Sequence, residues 1–228
     1  MASGIRQGIS RRGFGLTCLA GAGCLALPRL GLAGAPPANR NFAIFRDGKE
    51  IGRHVVRFTP TADGFEAKTE VEVTVKVAFI TAFRFEQVAD DRWRDGLLVA
   101  SRVHTDDNGD VSQTSISAED GKLNVEGGEA DRQLTAPLGT MTDLAFWNIG
   151  IVRQRALVDL KKALLTDVAS EALGRETIDV GGSAVDAERF KFAARTGRKG
   201  DIWFDAQGNW VKGLLTTRGE TLDYRLLA

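Results

Sequence analysis

An antiparallel all-β domain, a curved sheet or half-open β-barrel with one short helical insertion, is the fold class this sequence predicts. Three observations predict it. Turn dipeptides recur along the chain, among them Asp47-Gly48, Asp95-Gly96, Asn108-Gly109, Asp120-Gly121, Gly181-Gly182 and Arg218-Gly219. Such pairs suit two-residue hairpins, whose central residues need positive φ. Runs of strand length lie between them, mostly alternating apolar and polar, as half-buried strands do. Only one stretch carries a helical period.

The first 33 residues read as an export leader rather than as part of the fold. Ser10-Arg11-Arg12-Gly13-Phe14 is a twin-arginine core, with Arg11, Arg12 and Phe14 as its signal residues. A glycine-rich apolar run follows over 14–27, too short for a spanning helix of about 20 residues. Small residues Gly31 and Ala33 then offer a cleavage point. Cys24 follows Gly21-Ala22-Gly23 but lacks the leucine of a lipidation site. The leader implies a twin-arginine translocase as partner, a periplasmic destination, and no transmembrane span in the mature chain.

Residues 40–228 then form a single antiparallel β domain, with candidate strands at 41–47, 50–59, 71–85, 97–105, 110–117, 185–194, 201–205, 210–217 and 220–227. The odd positions of 71–85 are Val71, Val73, Val75, Val77, Phe79, Thr81, Phe83 and Phe85, an apolar face. Fifteen residues at ~3.3 Å each would span about 50 Å, so a bend or break is expected near 78–82. The helical period lies in 142–164, where Val152, Ala156, Leu160 and Leu164 fall four apart, joined by Leu157, with Thr142 or Asp143 as cap.

Composition removes several functions. The leader holds Arg6, Arg11, Arg12 and Arg29 and no acid. Of 30 basic residues, 26 then remain against 30 acidic ones, a net charge near −4. That argues against nucleic acid, which calls for a basic excess. Both cysteines, Cys18 and Cys24, lie in the leader, so the mature chain has no thiol for a disulfide, a thiolate metal site or nucleophilic catalysis. No cofactor motif, no metal-ligand spacing and no serine elbow is present. His54 and His104 read as structural, and Asp106-Asp107-Asn108-Gly109-Asp110 as a hairpin turn rather than a calcium loop.

The aromatic residues offer more. Phe79, Phe83, Phe85, Trp93, Trp147 and Trp203 are the candidates to line an apolar ligand site. Trp210 is the fourth tryptophan. Several stretches resemble an exported bacterial family known as domain of unknown function 6134. They include Asp47-Gly48 with Ile51-Gly52, Val75 to Thr81, Trp93-Arg94-Asp95-Gly96, Thr105 to Gly109, Trp147-Asn148, and Trp203-Phe204-Asp205 with Gly208. The resemblance covers most of 41–227 and implies an exported domain with no assigned catalytic residues. Phe83 and Phe204 stand where the family pattern leads one to expect tyrosine. At the level of fold, the signature is similar to cup-shaped envelope domains that carry or anchor lipids and lipoproteins.

Three functions are consistent with this reading. The first is non-enzymatic binding of a lipid-like apolar ligand or an envelope protein, without a cofactor. The second is a structural or assembly module of the envelope. The third is an envelope hydrolase that pairs a histidine with a carboxylate, which requires His54 or His104 within hydrogen-bond reach of an acid.

Overall fold

The computed structural model describes residues 36–227, so the twin-arginine segment with Arg11, Arg12 and Phe14 lies outside the described residues. The domain is all-β. Its first eight strands are β1 (Arg40–Arg46), β2 (Lys49–Thr61), β3 (Gly64–Val77), β4 (Ile80–Arg94), β5 (Leu97–Asp107), β6 (Asp110–Glu119), β7 (Lys122–Gly127) and β8 (Arg132–Pro137). After the short β9 (Met141–Thr142) and two 3-10 turns come β10 (Ala156–Asp159), β11 (Leu164–Val180), β12 (Ser183–Ala194), β13 (Lys199–Asp205), β14 (Trp210–Thr217) and β15 (Glu220–Leu226).

Consecutive strands pair as antiparallel hairpins, except that β9 joins β10 in parallel and β8 does not pair with β9. The turn dipeptides explain the hairpins: Asp47 and Gly48 have φ of 52° and 76°, Asn108 and Gly109 of 60° and 98°. Both residues of each pair thus hold the positive φ that twisted two-residue turns demand.

The sheet order runs β8 to β1, then β15 down to β9. The first and last strands therefore pair in the middle of the sheet, with Phe42 opposite Leu226. Its two edges, β8 and β9, are separated by only three residues, 138–140. A chain cannot stretch beyond about 15 Å over that link, so the sheet must roll round until its edges approach. They do not pair, and the barrel stays open.

A seam holds the gap instead. The backbone N–H of Glu129 donates to the Lys161 carbonyl at 3.0 Å. The Thr114 hydroxyl donates to the Leu160 carbonyl at 2.5 Å, and Arg132 to the Lys162 carbonyl at 2.8 Å. Gly128 is required there: a Cβ on it would lie 2.6 Å from the Lys162 carbonyl carbon. The buried Asp107 carboxylate accepts from both Lys161 and Arg218. Those hydrogen bonds hold its carboxyl below the usual carboxylate range. Asp107→Asn is expected to lower the unfolding free energy by about 1–3 kcal/mol, less than a fully buried pair because both cations reach solvent. Urea denaturation at neutral pH measures this; an unchanged midpoint would mean the seam rests on its backbone bonds alone.

One expectation holds and one needs amending. The apolar run 71–85 is not one strand. It breaks into a hairpin at Ala78-Phe79, inside the expected interval. The stretch 142–164 is not an amphipathic helix. It contributes only the 3-10 turns Ala145–Trp147 and Ile149–Arg153, then β10 and the start of β11. Asn148 separates the turns and caps the second, its side chain accepting from the Gly150 N–H at 2.9 Å. Leu144, Ala145, Phe146, Trp147 and Ile151 are all buried inside the rolled sheet. Buried residues run consecutively from Leu144 to Trp147 and from Leu157 to Leu160, so burial here does not follow the four-residue period of a helix.

Candidate functional site

The plug formed by residues 144–151 divides the interior. Trp147 packs edge-on against Trp93, Phe58 and Phe65, with ring centroids 5.0, 4.9 and 5.8 Å away. That side is filled. Phe146, the preceding residue, faces Phe192 at 5.3 Å and Trp210 at 5.7 Å, and beside these rings the sheet encloses a cavity of about 600 Å³.

One wall is the inward face of β3 and β4. Val71, Val73 and Val75 alternate along β3, and Phe83 and Phe85 stand across from them, with Val73 opposite Phe85 and Val75 opposite Phe83. Leu215, Leu222 and Phe192 supply apolar surface from the second half of the sheet. Turns gather at the mouth, because alternate turns of a meander fall at the same end. Those at 47–48, 78–79, 108–109, 195–198 and 218–219 share it.

The lining also carries five cations (Arg46, Lys161, Lys162, Arg198, Arg218) and three carboxylates (Asp143, Asp159, Glu220). Most are paired. Arg198 lies 3.3 Å from the Asp143 carboxylate and donates to the Asp143 carbonyl at 2.8 Å. Burial pushes the Asp143 carboxyl up to about 6, the nearby Asp159 charge adds to the rise, and Arg198 opposes it. Tyr224 lines the cavity as well, and burial raises its phenol.

His54 is buried at 3% exposure between Trp210, Phe42 and Tyr224, and its Nε2 has no hydrogen-bond partner. Burial, assisted by the Arg198 charge, lowers it to about 3. The imidazole is neutral at physiological pH and too weak a base to take a proton there. His104 is exposed on β5. Among the described residues neither histidine hydrogen-bonds a carboxylate, so the hydrolase reading lacks its pair.

The six residues expected to line a ligand site divide four ways. Phe83 and Phe85 line the cavity. Trp93 and Trp147 pack into the filled half. Trp203 belongs to a small cluster with Ile178, Ala187 and Val211, where its indole N–H donates to Glu176 at 2.7 Å. Its ring receives the Arg189 and Lys212 cations, each 5.1 Å from the centroid. Phe79 is fully exposed at the β3–β4 turn and lines nothing, because the strand reverses there and the odd-position face ends. The sequence reading missed Trp210, Tyr224 and Leu222 as lining residues. Their alternation on the last two strands was visible, but the first-to-last pairing that brings them beside His54 was not.

The acidic run at 106–110 is a hairpin turn. The Asp106 carboxylate accepts from the Gly109 N–H at 2.8 Å, and Asp107 turns inward to the seam. No cluster of metal-binding side chains occurs among the described residues, and no described helix is long and apolar enough to cross a membrane.

A family model described as a domain of unknown function (DUF6134) matches residues 42–227. Among solved structures, the chain is similar to a β-barrel-like protein of the domain of unknown function DUF1849 from Brucella abortus, with a TM-score of 0.58 and 12% identity over 83% of this chain and 94% of that one. At that identity the likeness concerns the fold alone. No curated protein matches the chain.

Proposed function

The chain belongs to the DUF6134 family, and we propose that it is an exported, periplasmic, non-enzymatic protein that binds a lipid-like ligand in the cavity beside Phe146. The observation that carries this reading is a space of about 600 Å³ walled by Val71, Val73, Val75, Phe83 and Phe85. Ligand pockets of this kind run to about 300–1,000 Å³, mostly apolar with a few polar groups placed among the apolar ones. Empty apolar space lowers stability through missing contacts, so a cavity of this size points to an occupant. The export part of the proposal rests on Arg11, Arg12 and Phe14 in their sequence context.

Native mass spectrometry of the protein recovered from the periplasm, followed by organic extraction, tests both parts. The expected result is a leaderless mass with a stoichiometric apolar companion. The dye N-phenyl-1-naphthylamine should bind saturably, and Phe83→Ser should weaken it about tenfold through lost apolar contact. A ligand-free mass together with no saturable dye binding would defeat the reading. The assembly-module alternative is favoured by one observation, the exposed apolar turn at Phe79 and Ile80.

A further inference from the structure

The β3–β4 hairpin extends past its neighbours. On one side the last residue of β4 paired to β5 is Phe85, opposite Asp107. On the other, the last residue of β3 paired to β2 is Val73, opposite Gly52. From Thr74 and Arg84 to Val77 and Ile80 the two strands continue without a third strand in the ladder, the Arg84 carbonyl accepting from the Asn108 N–H of the neighbouring turn at 2.8 Å. Val75 and Phe83 at the root of this two-stranded finger still line the cavity, so the part that stands in solvent is its tip, residues 78–82.

Its tip is apolar. Phe79 is 102% exposed and Ile80 74%, the highest values among the exposed large hydrophobic residues described. Where most of the tight hairpin turns carry a glycine, in Asp-Gly, Asn-Gly, Gly-Gly or Arg-Gly pairs, this one has Ala78 at φ 55° followed by Phe79. A non-glycine, non-Asx residue in the left-handed region is strained. Ala163 and Arg218 hold similar φ, but here the strain accompanies a large apolar side chain held out in water, which calls for a functional reason.

The charges on the finger have one sign. Between Val73 and Phe85 there are two cations, Lys76 and Arg84, and no acid, in a domain whose acids outnumber its bases 30 to 26. Arg84 pairs with Glu86 at the base of the finger.

We propose that this finger is a membrane-contacting element: Phe79 and Ile80 insert into a lipid surface, and Lys76 and Arg84 face anionic headgroups. The shape selects this partner over a protein. A convex tip of two large side chains offers far less than the roughly 800 Å² per partner of a standard protein interface. It suits shallow insertion, where aromatic and aliphatic side chains enter the boundary region and flanking cations add attraction to acidic lipids. The proposal does not depend on the cavity holding a ligand. If both hold, the finger also sets out a path, because Val75 and Phe83 line the cavity and lie next along the hairpin from the tip. A lipid surface met at Phe79 would then be joined by apolar side chains to the interior.

The test uses the protein as it accumulates in cells and vesicles of phosphatidylethanolamine and phosphatidylglycerol. The wild type is expected to sediment with the vesicles, less so as salt is raised. The double variant Phe79→Ser, Ile80→Ser should lose binding by about tenfold or more, with an unchanged thermal midpoint because both side chains stand in solvent. Phe79→Trp should show a blue-shifted emission on vesicles and quenching by brominated acyl chains. The native Trp93, Trp147, Trp203 and Trp210 are already buried and should shift little. The proposal is overturned if the wild type ignores the vesicles or if the double variant binds equally well. Tip-dependent dimerisation in analytical ultracentrifugation without vesicle binding also overturns it, and assigns the tip to a second copy. Loss of vesicle binding with dye binding intact separates a failed finger from a failed cavity.

Discussion

Trp147→Ala is expected to lower the unfolding free energy by about 3–5 kcal/mol, the range for removing a large buried aromatic side chain. The reason is its position. Trp147 is 5% exposed and its ring contacts Trp93, Phe58 and Phe65 edge-on, so it joins β2, β3 and β4 to the plug. The hole cannot collapse readily, because those neighbours are held in paired strands. Guanidinium denaturation followed by tryptophan emission measures the loss. A second consequence is expected at the cavity. Phe146 adjoins Trp147 and lines that space, so loosening the plug should also weaken dye binding. A loss under about 1 kcal/mol would show that the plug is only lightly held by the sheet.

The second large effect concerns acid. His54 is depressed from 6.5 to about 3 in the fold. Its contribution is therefore present above pH 6.5 and is lost as pH falls toward 3, by roughly 3 kcal/mol at pH 4. Asp91 works in the opposite sense. It is 2% exposed and neither carboxylate oxygen has a hydrogen-bond partner of normal geometry, so burial pushes it from 3.8 up to about 6, with Ser101 and the Trp93 indole resisting. Its contribution is full below pH 3.8 and is lost as pH rises through 6, again by roughly 3 kcal/mol. Asp143 shifts the same way as Asp91. Between pH 4 and 6 His54 offsets one of the two carboxyls, so the wild-type stability should fall gently as pH rises. His54→Leu should remove the acid limb, so that stability rises as pH falls from 7 to 4. Asp91→Asn should gain about 1–3 kcal/mol at pH 7 and leave His54 and Asp143 to oppose one another, giving a nearly level profile between pH 4 and 6. Denaturant midpoints across this range test the account. Parallel profiles for wild type and His54→Leu would contradict a buried neutral imidazole.

The legible parts of the fold were those whose signal is local. Asp-Gly and Asn-Gly pairs mark hairpins because two consecutive positive φ values suit few other residues. Alternation in β3, β5 and β6 marks one buried face. The β11 strand was not legible. From Ala169 to Thr177 it carries almost no buried residue, and a bulge beside Leu173 breaks its register, so no period of two survives. The plug was misread because consecutive residues are buried there, Leu144 to Trp147 and Leu157 to Leu160, so a spacing of four does not mark one helical face. For the candidate site, Phe83 and Phe85 could be picked out from one strand's pattern. Trp210, Tyr224 and His54 could not, since they come from strands more than 150 residues apart in the chain, and the sequence carries no local mark of that pairing.

That pairing bears on the order in which the domain assembles. The first strand waits for the last: Phe42 meets Leu226, and Ile44 meets Tyr224. Every other strand can zip onto the hairpin just made, so two meanders can grow from local contacts. They cannot be locked into one sheet until the chain is complete. On the ribosome, β1 is therefore an open edge throughout synthesis, a template for mispairing with another nascent chain. A circular permutant with its natural ends linked and new ends cut at Gly139 would convert the slow joining step into a local hairpin. It should refold faster while keeping every strand neighbour it has now.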